Sequence, residues 1–236
     1  MRLIQPFHKS EHPVRNAELT QCRERNRESG LFSSIVMPTG RPTFTELFAL
    51  CGEDEVNVIA NSDMYFDASI RLAERCKQGQ CLALSRWDVQ ADGRSVHFDV
   101  AWSQDVWIVR GRPSIEAEFT QGVLDCDNVL AWVLQSSGLA VLNPSRAIRS
   151  HHLHLSDVRT YRGRGRAPVS VPGPHLHVSP TDMWPLHYPR VHARWRAVGR
   201  AWQAPGFCRK QGGRWLPSAL RARARDASCS VRPMGR

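Results

Sequence analysis

The sequence lacks a long apolar run and a C-x-x-C pair of cysteines, and its last third has almost no acidic residues. The longest apolar stretch, residues 129–142, is broken by a Gln-Ser-Ser-Gly run and is shorter than the ~20 residues a membrane-spanning helix needs. The apolar part of the N-terminal Met-Arg-Leu-Ile-Gln-Pro is too short for a signal peptide. Seven cysteines without paired spacing argue against a disulfide scaffold and a zinc ribbon. We therefore expect a cytoplasmic protein without a membrane span.

Charge is divided unevenly along the chain. Residues 1–161 contain 17 Lys or Arg and 20 Asp or Glu, whereas residues 162–236 contain 15 and 2. The formal net charge of +10 therefore comes from the C-terminal part. Because the first part is slightly acidic, the net positive charge does not indicate a nucleic-acid-binding surface over the whole chain.

The C-terminal part also differs in composition. Leu, Ile, Val and Phe make up 11 of its 75 residues, about 15 %, which is below the ~20 % at which highly charged segments tend to be disordered. We expect a domain over residues 1–180 and a basic, poorly ordered Arg/Pro/Trp-rich tail over residues 181–236. One interpretation is a non-native or degenerated C-terminus, because translation of a GC-rich gene out of frame gives the same enrichment in Arg, Pro, Ala, Gly and Trp. The other is an arm that binds nucleic acid through its cations and tryptophans.

Short apolar runs alternate with helical segments in the first 161 residues. Strands are predicted at 3–4, 34–37, 56–60, 81–84, 96–100, 106–109 and 140–142, and helices at 14–28, 43–50, 68–77 and 127–135. Thr43 and Glu46 form a capping-box pattern, and Asp127 can cap the last helix. This alternation predicts an α/β fold with a mostly parallel sheet flanked by helices.

Asn61, Ser62 and Asp63 directly follow the most apolar predicted strand. Ligands of open α/β sheets bind beyond the carboxyl ends of the strands, so Asp63 can hold Mg²⁺ or Mn²⁺, which in turn neutralises a diphosphate. Alternatively, Asn61 and Asp63 only shape a turn and cap the next helix. Taken alone, the three residues favour the turn.

Four further residues combine a structural interpretation with a chemical one. Asp127 is an N-cap, and without conflict it can also be a carboxylate kept ionised at a helix N-terminus that accepts a proton from an attacking hydroxyl. His152 and His154 are ordinary imidazoles, or ligands on one side of a strand for the metal held by Asp63. Arg86 pairs with Asp88 at the surface, or offers its planar fork to phosphate or sugar hydroxyls.

Several segments occur in an order that resembles a known family: IANSDMYFD (59–67), ALSRWD (83–88), SQDVWI (103–108), CDN (126–128), and NPS (143–145) followed by H-x-H-x-S-x-x-R-x-Y (152–161). They resemble small bacterial and plant glycosyltransferase-like proteins of the GT-A type. The resemblance extends from about residue 2 to residue 180.

The resemblance implies a GT-A-like, Rossmann-like fold and transfer of a sugar from a nucleotide-diphosphate donor to an unidentified acceptor. Asn61, Ser62 and Asp63 match the metal-binding Asp-x-Asp of GT-A enzymes, with Asn in place of the first Asp. Asp127 matches the catalytic base of inverting members, and His152 or His154 matches the late histidine of the metal site. Pro6 and Phe7 stand where such enzymes bind the nucleotide base. An inactive GT-A relic is the competing interpretation.

Overall fold

The computed structural model describes residues 1–156, residue 158 and residues 170–182. Apart from residues 181 and 182, the predicted tail lies outside the described residues. The strands are β1 (Arg2–Ile4), β2 (Ser34–Val36), β3 (Val56–Ala60), β4 (Met64–Phe66), β5 (Gln80–Leu84), β6 (Trp87–Val89), β7 (Ser95–His97), β8 (Val106–Arg110), β9 (Ala140–Leu142) and β10 (Ser150–His152). The helices are α1 (Pro13–Glu28), α2 (Phe44–Ala49), the 3₁₀ helix Ala68–Arg75 and α3 (Cys126–Ser136).

Six strands form the larger sheet, in the order β2-β1-β3-β8-β5-β9. Pairing is parallel from β2 through β1 to β3 and between β5 and β9, whereas β8 runs antiparallel to both β3 and β5. The start of β8 therefore lies at the same edge of the sheet as the carboxyl ends of β3 and β5.

A smaller sheet of four short strands has the order β4-β10-β6-β7. It contains one parallel pair, β10 with β6, and two antiparallel pairs. Because β4 follows β3 after three residues, and β6 follows β5 after two, the small sheet continues from the carboxyl edge of the large one.

Each face of the large sheet carries its own hydrophobic core, since successive side chains of a strand point to opposite faces. Leu3 and Ile4 of β1 are fully buried in different clusters. The Ile4 cluster includes residues of α2 and α3, and the Leu3 cluster includes residues of the 3₁₀ helix. Burial on both faces explains why the central strands were recognisable as apolar runs.

The α/β class is confirmed, but the expected architecture is corrected in part. Both sheets are mixed and the described residues contain few helices, so a Rossmann-like parallel sheet flanked by helices is not confirmed. The predicted helix 68–77 is a 3₁₀ helix, and the predicted strand 96–100 is the shorter β7. The capping box is confirmed, because the Thr43 side chain accepts from the Glu46 N–H and the Thr43 N–H donates to the Glu46 carboxylate. No helix in the described part of the chain is long and apolar enough to cross a membrane.

Candidate functional site

A cleft of about 720 Å³ opens at the carboxyl edge of the large sheet. Residues that follow β1, β3 and β5 line it together with residues that precede the antiparallel β8. The beginning of α3, the segment after β10, part of α1, residues 40–42 and Phe44 also line it. This is the place where the topology of open α/β sheets puts ligand sites.

Eight of the nine site residues predicted from the sequence line this cleft, and they are Pro6, Asn61, Ser62, Asp63, Arg86, Asp127, His152 and His154. The exception is Phe7, which does not line the cleft. Its ring lies under the guanidinium of Arg23, 4.4 Å from Cζ to the ring centroid. This cation–π contact gives Phe7 a packing partner. Its contact with a nucleotide base stays a prediction.

Asp63, His152 and His154 form the group of side chains best suited to hold a metal ion. One ligand atom from each residue lies within 4.8 Å of the other two. Asp63 Oδ2 and His152 Nε2 are 3.2 Å apart, and the His152 and His154 rings meet nearly at right angles. His154 lies beyond the end of β10, so the expectation that one strand presents both histidines is wrong. The two imidazoles nevertheless converge on the Asp63 carboxylate.

The fold brings these residues together through pairing between strands distant in sequence. β4 pairs antiparallel with β10, with Met64 opposite His152. Immediately beyond that pair, the Leu153 N–H donates to the Asp63 carbonyl at 3.0 Å. Gln5 Nε2 donates to the Asn61 and Met64 carbonyls at 2.9 and 2.7 Å and so fixes the turn that contains Asp63.

Arg15 of α1 and His152 both contact the Asp63 carboxylate. The Arg15 guanidinium donates to Asp63 Oδ2, to Glu18 Oε2 and to the Leu153 carbonyl. Burial would raise the pKa of Asp63, but the attraction and hydrogen bonds of His152 and Arg15 outweigh it and hold that pKa well below its ordinary value. Asp63 is therefore ionised at any physiological pH, as a metal ligand must be.

His152 is oriented by a second carboxylate, Asp88. The distance from His152 Nδ1 to Asp88 Oδ1 is 2.8 Å. Burial would lower the pKa of His152, but Asp63 and Asp88 together raise it to about 9. With this pKa, His152 is protonated at neutral pH and donates Nδ1–H to Asp88 and Nε2–H to Asp63. It would have to release the Nε2 proton to bind a metal ion. The remaining Nδ1–H to Asp88 hydrogen bond is the usual arrangement behind a metal-bound histidine. The donor set fits a divalent cation, and two imidazoles favour Mn²⁺ over Mg²⁺, which prefers oxygen ligands.

Asp105 links the Asn61 turn to Arg86. Asn61 Nδ2 donates to one of its carboxylate oxygens at 2.7 Å, and an Arg86 Nη donates to the other at 3.2 Å. Arg86 Nε also donates to Asp88 at 2.8 Å, so the expected pair is present, although it lies in the cleft lining and was expected at the surface. The guanidinium is thus fixed by two carboxylates.

Sequence reasoning did not identify Arg15 or Glu18 and gave Asp105 no specific role. One signal was present, because α1 has the composition of a helix but a poor apolar stripe. The structure explains it: α1 buries polar side chains, namely Arg15, Glu18 and Asn26. A helix that must pack yet lacks an apolar face is a place to look for buried functional groups.

Asp127 lies in the first turn of α3 and is not its N-cap. The N-cap is Asp125, which has a left-handed backbone with φ 65°. The Asp127 carboxylate accepts from the Gln104 N–H at 3.1 Å and from the Asn128 N–H at 3.0 Å. Burial, and then repulsion by Asp105, raises the pKa of Asp127 to about 6. A carboxylate with such a pKa is still ionised at pH 7 but is more basic than an exposed one, as a general base requires.

Cysteine chemistry is disfavoured in the described part of the chain. Its five cysteines are buried and unpaired, and only Cys126 lines the cleft. Burial raises the pKa of the Cys126 thiol to about 12, so it is protonated and a poor nucleophile at neutral pH.

Comparison of the chain with protein-family models, with curated proteins and with solved structures gives no match. The residues of the cleft are therefore the observations that bear on function.

Proposed function

We propose that the protein is a glycosyltransferase, and that its cleft binds a nucleotide-diphosphate sugar with Mn²⁺ and transfers the sugar to an acceptor hydroxyl. The proposal rests on one observation: a cluster suited to a divalent cation and a carboxylate with a raised pKa line the same cleft at the carboxyl edge of the sheet. A cation held by the cluster can bind a diphosphate leaving group, and the carboxylate can deprotonate an acceptor hydroxyl. Sugar transfer requires both steps.

A GT-A type of architecture is part of this proposal. Five of the six strands of the large sheet run in the same direction, and β8 alone is reversed. The polar residues that resemble the family's motifs follow β3 and β5, precede β8 or begin α3. These features support the resemblance drawn from the sequence.

Asp63, His152 and His154 would hold the cation. When bound, it neutralises the charge that develops on the departing nucleotide diphosphate. Asp88 keeps the His152 ring in the orientation that exposes Nε2. Asn61 stands in the place of a first carboxylate and adds no charge to this group, because its side chain is a neutral amide. That amide donates to Asp105.

The remaining predicted residues would contact the sugar donor or the acceptor. Arg86, fixed by Asp88 and Asp105, presents a cation to phosphate or sugar hydroxyls, and Ser62 lines the same cleft. Pro6 at the end of β1 bounds the region assigned to the nucleotide base. Asp127 Oδ1 or Oδ2 takes the proton of the acceptor hydroxyl as the oxygen attacks the sugar.

An inactive relic of such an enzyme is a second candidate, favoured by the contact of Arg15 with Asp63. The guanidinium already compensates the carboxylate's charge, so a cation at the triad must compete with it. A nucleic-acid-binding protein acting through the basic tail is the third candidate, and it concerns residues outside the described part of the chain.

Calorimetric titration of the full chain with UDP and with GDP, each with and without Mn²⁺, tests the proposal. The glycosyltransferase interpretation predicts Mn²⁺-dependent binding of at least one nucleotide. Asp63→Asn and His154→Gln should both weaken it, because their side chains would ligate one ion. If neither nucleotide binds in the presence of Mn²⁺, the proposal fails and the relic is favoured.

Matched controls separate ligand loss from a general effect of substitution. Asp92→Asn removes an exposed carboxylate that pairs with Arg94, and His175→Gln removes an exposed imidazole. Neither residue lines the cleft. Both variants should bind Mn²⁺ and nucleotide as the unaltered protein does.

A further inference from the structure

Trp102 is a large apolar side chain exposed at the cleft. Its side chain is 52 % exposed although it lines the cleft wall. An exposed indole gives up hydrophobic stabilisation, and exposed apolar surface in a concave site is a mark of ligand contact. Most other exposed large hydrophobic residues in the described part of the chain, such as Val14 and Val96, do not line the cleft.

The backbone that presents Trp102 is fixed by hydrogen bonds. Asn128 Nδ2 donates to the Trp102 carbonyl at 3.1 Å. The preceding carbonyl, of Ala101, accepts from Gln104 Nε2 at 3.0 Å and from the Val178 N–H at 2.8 Å. The backbone position of Trp102 is therefore fixed.

Phe98 extends this aromatic surface. Its ring meets the Trp102 ring edge to face, with centroids 5.5 Å apart and planes at 88°. The Arg86 guanidinium lies over the Phe98 ring at 4.3 Å. We call Trp102 and Phe98 the aromatic platform, and its two rings are supported by each other and by a fixed cation.

The platform is tied to Asp127, the proposed base. Asn128, the next residue in α3, holds the Trp102 carbonyl, and Gln104, two residues after Trp102, donates its N–H to the Asp127 carboxylate. The proton acceptor and the indole thus belong to one hydrogen-bonded unit. A group lying on the platform is close to the side chain that would activate an acceptor hydroxyl.

We propose that the Trp102 indole, supported by Phe98, packs against a sugar ring of the acceptor, so that the acceptor is a carbohydrate; this inference rests on the proposed function. The C–H face of a sugar ring carries slight positive charge and matches the negative face of an indole. The hydroxyls at the ring edge would meet the polar side chains of Asp127, Asn128 and Gln104, which line the same cleft.

Binding of soluble oligosaccharides to the full chain, without nucleotide, tests the inference. Cellotetraose, maltotetraose, chitotetraose and xylotetraose serve as probes, and saturation-transfer NMR reports their contact with the protein. At least one should bind the unaltered chain. Trp102→Ala should weaken its binding about tenfold or more, whereas Trp102→Phe should retain part of it because a ring face remains. Val96→Ala, which shortens a similarly exposed apolar side chain outside the cleft, should leave binding unchanged.

UDP and GDP affinity is measured on the same variants and should not change in Trp102→Ala. The inference is overturned if no tetrasaccharide binds the unaltered chain, or if the one that binds is unaffected in Trp102→Ala. It is also overturned if Trp102→Ala lowers nucleotide affinity, since the indole would then stack on the donor's base. Trp102-dependent tetrasaccharide binding without nucleotide binding would uphold the platform and contradict the glycosyltransferase.

Discussion

Asp127→Asn should make the protein more stable at pH 8 and far less active. The raised pKa of about 6, against an ordinary value of 3.8, means that the folded protein binds the Asp127 proton more tightly than the unfolded chain does. Its stability therefore falls as the pH rises between those two values, and the full penalty is present above pH 6. At ~1.4 kcal/mol for each tenfold change in proton affinity, the ionised carboxylate costs up to about 3 kcal/mol.

Asparagine removes this penalty at the expense of one hydrogen bond. Its single oxygen can accept from only one of the Gln104 and Asn128 N–H groups that the carboxylate now binds, a loss of about 1 kcal/mol. The expected net gain at pH 8 is therefore about 2 kcal/mol. Near pH 4 the gain should vanish, because the wild-type carboxyl is then neutral in the folded protein.

Urea unfolding at pH 4, 5, 6, 7 and 8, followed by circular dichroism, measures this difference. Asp92→Asn is the control: the Arg94 N–H groups hold the pKa of this exposed carboxyl below its ordinary value, so its removal should not stabilise the protein at high pH. Sugar transfer by Asp127→Asn should fall ~100-fold or more, because an amide accepts no proton. A variant whose stability relative to wild type is the same at pH 4 and pH 8 would refute the reasoning.

Three other changes have defined outcomes. Thr43→Ala should lower the free energy of unfolding by about 1 kcal/mol through loss of the capping box, and Thr43→Ser should restore it; equal losses in urea titrations would contradict this. Arg15→Met should destabilise by about 3 kcal/mol because buried carboxylates lose their cation, and Mn²⁺ should raise its melting temperature more than that of wild type; equal shifts would argue against a cation at the triad. Cys81 and Cys126 should resist iodoacetamide in the folded protein at pH 8, as peptide mapping would show, since burial raises the pKa of both thiols; rapid modification would contradict their burial.

The large sheet could be predicted from the sequence because its central strands are buried on both faces. Val56–Ala60 and Val106–Arg110 are mostly apolar, so their own composition identifies them as strands without knowledge of the strands they pair with. Of the four strands of the small sheet, only β7 was predicted, and with different bounds. Ser150–His152 has no apolar residue, and it is a strand only because β4 and β6 pair with it. Tertiary pairing overrides local preference in such short segments.

The candidate site was predictable where residues follow strands and not where distant segments meet. Asp63 could be placed at the cleft because it follows an unmistakable strand. The role of Arg15 depends on its contact with Asp63, 48 positions away, and that of Asp88 on its contact with His152, 64 positions away. No local pattern encodes these pairs, although the polar face of α1 was a partial sign of the first.

A crystal structure of the protein soaked with MnCl₂ and UDP, with anomalous data collected near the manganese edge, would show whether the three side chains bind the cation. The account predicts an anomalous peak about 2.1 Å from Asp63, His152 and His154 ligand atoms, with the diphosphate completing the coordination. Arg15 should then share or release the Asp63 carboxylate. A map without a peak between these three side chains, with Arg15 still paired to Asp63, would contradict the account.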